Sequence, residues 1–527
     1  PQYMKEVLEN AMTILDSYVF SDILKSPPYP YNDTKVNISE EFSKIEINVE
    51  RPFYEFYRDF RKALSASRDA NIEIIGDILP LNETIKFLEY RYCLPFQFYV
   101  DYSDNGEANL FIKEYPTCSQ FYDNTTRNFI IEHKNIPVET INGIDSFEYI
   151  QNYGNETYKF KNPDSQFSIF IEHIHDNNFI YVPLSIEELN SVNLSFDPSD
   201  TLNTYFHIIK DSNKTNEKDE HKYSTENSNN IDWKYISENG EIKCLVDYEN
   251  ELNVIFFNKF YLKDNTVMIC SQEFYQNDYR ILIITSQLWD EDYWDSYFYA
   301  QALFPKLDIK FNMAMKNTEY NRNLYNINKD YILDSKTCLP FESWEDFLED
   351  KPDEYGDNVT HYRTKIFNPI REKEIIDSNE FRKDIISLGH LKKSTDILIL
   401  TDTVAYGPAS LFLKTIQNNG GAIIGSYAGN PRLEKEKIMN IDASLDPAMI
   451  TNYKFAEAYE NLLNNSNYKG VINEENSAKE ISIKLDKNSQ LTLMGDSYIT
   501  SLEDEDETYA NIDFNGYTLY VNGTAVS

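Results

Sequence analysis

Asp396-Ile-Leu-Ile-Leu-Thr-Asp-Thr-Val-Ala-Tyr-Gly-Pro-Ala-Ser-Leu-Phe-Leu-Lys-Thr-Ile-Gln-Asn-Asn-Gly-Gly-Ala-Ile-Ile-Gly425 decides the fold. The apolar run Ile397 to Leu400 has the composition of a strand buried on both faces. A helix is expected from about Ala409 to Asn418, stopped by the Gly420-Gly421 pair, and Ala422 to Ile424 is a second buried strand. This is a β-turn-α-β unit with its turn at a strand's carboxyl end. The helix N-terminus behind such a turn offers free N–H groups to a developing oxyanion, which is why nucleophiles are often found there. Here Tyr406, Gly407 and Pro408 fill the turn, and Ser410 lies about one turn into the helix. An ordinary crossover within a core is the plainer reading of the same pattern.

Outward from this unit, 527 residues are enough for roughly two to four domains with sizeable cores. Lys plus Arg is 49 and Asp plus Glu is 87, a formal charge of −38, which repels nucleic acid and anionic lipid and favours basic or neutral partners. No apolar run reaches the roughly eighteen residues of a membrane span. Pro1-Gln-Tyr-Met is neither a signal peptide nor an initiator, so a trimmed or mature chain is expected. Ten Asn-X-Ser/Thr sequons lean modestly towards secretion. Five cysteines, Cys93, Cys118, Cys244, Cys270 and Cys338, are far apart with no CxxC, which argues against a metal cluster. One or two disulfides and buried free thiols are both open.

Along the chain, residues 1–95 read as mainly helical, with apolar spacing over Tyr3 to Ser17 and Phe53 to Ala66. Residues 96–210 read as strand-rich, with strands at Phe96 to Val100, Leu110 to Ile112, Phe129 to Glu132, Phe167 to Ile174 and Phe179 to Val182, and a tight turn then a short helix at Ile141-Asn-Gly-Ile-Asp. His173 and His175 would alternate on one strand, a surface or sheet pair rather than a metal site. Residues 211–230 are a polar linker or loop, and 231–527 an α/β core with a strand-rich tail whose acidic run begins at Glu503.

These elements carry a resemblance. The helical start, Ser67-Arg-Asp-Ala-Asn71, the Asn142-Gly-Ile-Asp element, Ile281 to Thr285, the quoted turn and Ala422-Ile-Ile-Gly-Ser-Tyr-Ala-Gly-Asn-Pro431 together resemble the tail-specific (C-terminal-processing) serine peptidases, in the branch of the chlamydial protease-like activity factor. The resemblance implies an α/β fold of the α+β multi-domain kind, with an N-terminal helical region, an inserted PDZ-like β domain, and a β/β/α core related to crotonase and Clp-type proteases. It also implies that three catalytic positions are lost. Gly407 stands where the family has its nucleophilic serine, Asn71 where it has the histidine base, and Glu480 is the candidate for the histidine-orienting position. Glycine has no Oγ, and an amide takes no proton at neutral pH. The oxyanion-hole glycines are replaced by Ser286-Gln-Leu-Trp-Asp-Glu-Asp-Tyr-Trp294, whose acids would oppose an oxyanion.

A non-catalytic pseudopeptidase is therefore expected, gripping an extended peptide or protein partner by strand addition in the former substrate cleft. Trp289, Trp294, Tyr406 and Tyr427 are the candidate binding residues. Two alternatives stand beside it: an active serine endopeptidase with an atypical Ser410/Lys414 dyad, Lys414 otherwise being a solvent-facing neighbour, and a glycan-binding extracellular protein. No metal, cofactor, nucleic acid or membrane span is expected, and a homodimer follows only by analogy with the family.

Overall fold

The computed structural model describes residues 2–27, 34–47, 51–70, 72, 90–103, 105–178, 182–197, 200–210, 231–260, 265–289, 293–307, 314–328, 332–334, 337, 339–355, 359–368, 372–402, 404–405, 408–432, 467–470, 472, 482–485, 490–504, 506 and 508–526. The linker expected at 211–230 lies outside them. Helix α1 (Gln2–Asp16) buries Val7, Leu8, Ala11 and Leu15, and α2 (Phe53–Ser65) buries Phe56, Phe60 and Leu64. Both stripes follow the helical repeat, and both pack into the same hydrophobic cluster as the central sheet described below.

A second cluster, drawn almost wholly from residues 92–206, belongs to the strand-rich unit. It opens with an antiparallel hairpin of β1 (Phe96–Tyr102) and β2 (Ala108–Glu114). Next comes α3 (Asn124–His133), whose first turn is capped by the Asp123 side chain accepting from Thr126 N at 2.7 Å. Strand β3 (Thr140–Ile141) turns through Asn142 (φ 51°) and Gly143 (φ 79°) into β4 (Ile144–Asp145), the left-handed pair that an Asn-Gly hairpin requires. Asp145 then caps α4 (Ser146–Thr157) by accepting from Phe147 N (3.0 Å) and Glu148 N (3.2 Å). After α5 (Pro163–His173), β5 (Val192–Asp197) and β6 (Asp200–Thr204) complete an antiparallel sheet in the order β4-β3-β5-β6.

Two strands expected here are helices. Phe129 to Glu132 lies within α3, and Phe167 to His173 within α5. The signals that decide α5 are Asn162, whose side chain accepts from Asp164 N at 2.9 Å, and Pro163 at the first helical position. With α5 in place, His173 ends a helix and His175 lies beyond it, so the two do not alternate on a strand.

The central sheet consists of β7 (Tyr235–Ile236), β8 (Ile242–Asp247), β9 (Leu252–Lys259), β10 (Arg280–Trp289), β11 (Ile397–Thr401) and β12 (Ile423–Ser426), in sequence order. β7 to β9 pair antiparallel and β9 to β12 parallel. Helices lie in the connections between the parallel strands: α6 (Thr266–Phe274) between β9 and β10, α7 (Tyr293–Leu303) and α8 (Glu372–Ser387) between β10 and β11, and α9 (Pro408–Asn418) between β11 and β12. α7 packs against α6, α8 and α9. Gly420, at φ 59°, ends α9 as a glycine in the left-handed region does, and Gly421 N donates back to Ile416 O at 2.9 Å. The β-turn-α-β unit is therefore present in the expected order, with its first strand ending at Thr401 rather than Leu400 and its second at Ile423–Ser426 rather than Ala422 to Ile424.

Residues 315–367 gather a small aromatic cluster around Tyr325, Trp344 and Phe347, and the tail a separate one around Leu491, Leu493 and Leu519. Disulfides join Cys93 to Cys118, beneath the β1–β2 hairpin, and Cys244 to Cys270, tying β8 to α6.

Candidate functional site

At the carboxyl end of β11 the chain leaves the sheet through Asp402, which is 1% exposed. Its Oδ1 accepts from Val404 N at 3.0 Å, an Asx-type turn that redirects the backbone. Val404 enters the hydrophobic cluster of the strand-rich unit, and Ser168 on α5 donates from Oγ to Asp402 O at 3.4 Å. The turn after the central strand is thus seated against α5. Glu172, one helical turn beyond Ser168, keeps part of its surface exposed while its carboxyl lies in the interior. Burial, and after it the negative charge of Asp402, pushes the Glu172 carboxyl up to about 8. Two carboxylates so placed cannot both ionise cheaply, which favours the protonated form of Glu172.

The neighbouring strand end supplies Tyr427. Its N–H donates to Thr401 O and its hydroxyl to Thr285 O, each at 3.0 Å. Thr285 and Thr401 face one another in the β10–β11 register. Burial, and then the charge of Asp402, raises the Tyr427 hydroxyl well above its ordinary value, so it remains a donor. Next along the chain, Asn430 N donates to Asp164 Oδ1 at 2.8 Å, and burial raises that carboxyl to about 6 against the opposing effect of this bond. Gly429 permits the approach: at φ 117°, a Cβ there would stand 2.7 Å from Asp164 Cβ. Arg432 completes the junction, with Nη1 3.3 Å from Asp145 Oδ2, Nη2 3.2 Å from Ala108 O, and its guanidinium 4.0 Å over the Phe147 ring. Residues 427–432 therefore lash the end of the central sheet to α4 and α5.

Beside this junction β12 is the edge of the central sheet, with β11 its only partner among the described residues. Ile423 on it is 53% exposed and Tyr427 just past it 50%. In open α/β sheets, ligands bind in the crevice beyond the carboxyl ends of the parallel strands, which is where Asp402, Tyr427 and Glu172 meet.

Of the residues expected to form the site, Tyr427 lies beside Thr285 and Thr401 at these strand ends. Asn71, Tyr406, Gly407 and Glu480 lie outside the described residues. The flanks of Asn71 are held firmly. Arg68 adopts φ 50°, Asp69 is fully buried and accepts from Tyr18 OH at 2.5 Å, and Lys161 and Lys159 donate from Nζ to Arg68 O (2.9 Å) and Ile72 O (2.7 Å). Trp289 ends β10 opposite Lys259, and Trp294 lies in the first turn of α7. Ser410 is fully buried inside α9. Lys414 is only 4% exposed, not the solvent-facing neighbour expected, and its Nζ donates to Gln417 Oε1 at 2.6 Å. α9 packs on α7 and on β10, which covers the face that carries Ser410 and Lys414, while Gln417 remains exposed. Among the described residues no group of three His, Cys, Asp or Glu side chains is placed to hold a metal ion, and no helix is long and apolar enough to cross a membrane.

Sequence reasoning passed over Glu172, Asp402 and Asp164. Asp402 stood in the quoted stretch, where an aspartate after a buried strand reads as an ordinary turn former. Glu172 was hidden by the reading of α5 as a strand.

No family model and no curated protein matches the chain. Solved structures do. Mature CPAF aligns over 80% of this chain and 83% of its own, at 10% identity and a TM-score of 0.42. The photosystem II D1 C-terminal processing protease aligns over 80% of each chain, at 8% identity and 0.26. An S41 protease from Bacteroides fragilis aligns over 70% of this chain and 77% of its own, at 8% identity and 0.21. These neighbours are tail-specific proteases, the family that the sequence resembles.

Proposed function

We propose that this protein is a non-catalytic pseudopeptidase that binds an extended peptide or protein segment carrying a basic side chain. The observation that carries the reading is the Glu172–Asp402 carboxylate pair, enclosed at the carboxyl ends of the parallel strands beside the exposed edge of β12. An edge strand offers main-chain groups for strand addition, and an ammonium or guanidinium entering the crevice would neutralise the two acids and release the proton of Glu172. The charge of Asp402 opposes the oxyanion of acyl transfer. The burial of Ser410 counts against a dyad there, while Gly407 and Asn71 lack the groups that a nucleophile and a base would need. Two disulfides support an oxidising, extracellular setting.

Calorimetric titration with an extended peptide holding a central Arg, against its Arg→Glu counterpart, tests the reading. Saturable binding of the Arg peptide alone is expected, weakened about tenfold or more in Asp402→Asn, as for loss of one partner of a buried charge pair. Equal binding of both peptides, or none, would remove the carboxylate pair as the recognition element.

A further inference from the structure

The opposite end of the central sheet holds a cavity of about 200 Å³. Its apolar floor is Phe304, Leu307, Leu391 and Ile397, and its rim carries Lys306, Lys392 and Lys393. Ile397 begins β11, whereas Asp402 follows its last residue, so the cavity lies about 16 Å from the carboxylate site at strand rise. The wall beneath it is close-packed on glycine: a Cβ at Gly421 would stand 2.6 Å from Leu307 Cδ1.

Three lysines lining one cavity stand out in a chain of net charge −38. Lys392 is the most enclosed, at 6% exposure, its Nζ donating to Asn277 O and lying 5.8 Å from the Tyr275 ring centroid. Burial lowers its pKa, against the pull of Asp278 and Asp396. Asp278 is itself engaged by His390 Nδ1 at 2.8 Å. Arg382 adds a fourth cation behind the wall, donating from Nε to Pro305 O at 2.5 Å. An anion here would add to the counter-charge that Asp278 and Asp396 give Lys392, and its hydrocarbon part would cover the floor.

We propose that this cavity is a binding site for a small apolar monocarboxylate, one hydrophobic group on a single carboxylate, held by the three lysines. The volume sets the size: it corresponds to about seven waters at liquid density, below the range of drug-sized pockets, and suits one aromatic or branched group.

The test is fluorine NMR titration of the full chain with 4-fluorophenylacetate, using 4-fluorophenylacetamide as the neutral counterpart of the same shape. Saturable one-to-one binding of the acid is expected, with the amide at least tenfold weaker. Lys306→Glu with Lys393→Glu, both exposed, is expected to weaken the acid at least tenfold while leaving the thermal midpoint unchanged. Lys392→Met should do the same, and if that variant fails to fold, the rim pair still decides. Absence of saturable binding, equal affinity for acid and amide, or an unaltered affinity in the rim variant would each overturn the proposal.

Discussion

In the proposed site, pH dependence rests on Glu172 and Asp402. A carboxyl raised to about 8 in the folded chain is near its ordinary value when unfolded. Below that ordinary value both states hold the proton, and the associated stability is fully present. Between it and about 8 the folded state retains a proton that the unfolded state has released, so stability falls as pH rises across this window. Glu172→Gln should flatten this fall, with a thermal midpoint at pH 8 higher than the parent's by roughly a few degrees once solvent screening is discounted. Parallel melting curves from pH 5 to 8 check it, and a variant with an unchanged slope would show that Glu172 carries no such proton. The same proton sets the sign for ligand: affinity for a basic peptide should rise between pH 6 and 9, because the deprotonated pair is the better acceptor. At this scale the sequence was only half legible. Tyr427 could be picked out as an aromatic beside the second strand, but Asp402 became chemically distinct only when α5 placed a second carboxyl against it.

Elements were legible where a period or a cap was strong. The two N-terminal helices, the Asn142-Gly143 turn and the β11-α9-β12 unit appear where the sequence placed them, because amphipathic spacing, a left-handed Asn-Gly pair and a glycine stop are local signals. α5 was not, because a helix buried on most of its faces shows no polar stripe, and Phe167, Ile169 and Ile171 mimic strand alternation. The junction at 427–432 yields a prediction of its own. Gly429→Ala forces a Cβ into Asp164 at a φ that alanine rarely adopts, and should cost about 1 to 3 kcal/mol by chemical denaturation. It should also weaken peptide binding, since it separates the two units that frame the crevice. The Cys244–Cys270 bridge closes a separation of 26 residues, and replacing both cysteines by serine should destabilise the chain by about 3 kcal/mol, read as a lower denaturant midpoint. An unchanged midpoint would mean that the bridge constrains nothing the packing does not already hold.

Over the whole molecule, the N-terminal helices and the central sheet form one continuous core, while the strand-rich unit keeps its own and meets the sheet through Val404 and residues 427–432. That seam is where the proposed site lies, and a seam made by residues more than two hundred positions apart leaves little trace in any local pattern. The overall charge of −38 adds a long-range attraction for basic partners, so the association rate with an Arg peptide should fall steeply with added salt while an uncharged peptide shows little change. The central claim, a peptidase-like chain that binds without cleaving, is met most directly by incubating the full chain with a fluorophosphonate and reading its intact mass. The account predicts an unshifted mass for the folded protein. A single covalent adduct, mapped to one serine and abolished by its replacement with alanine, would contradict it.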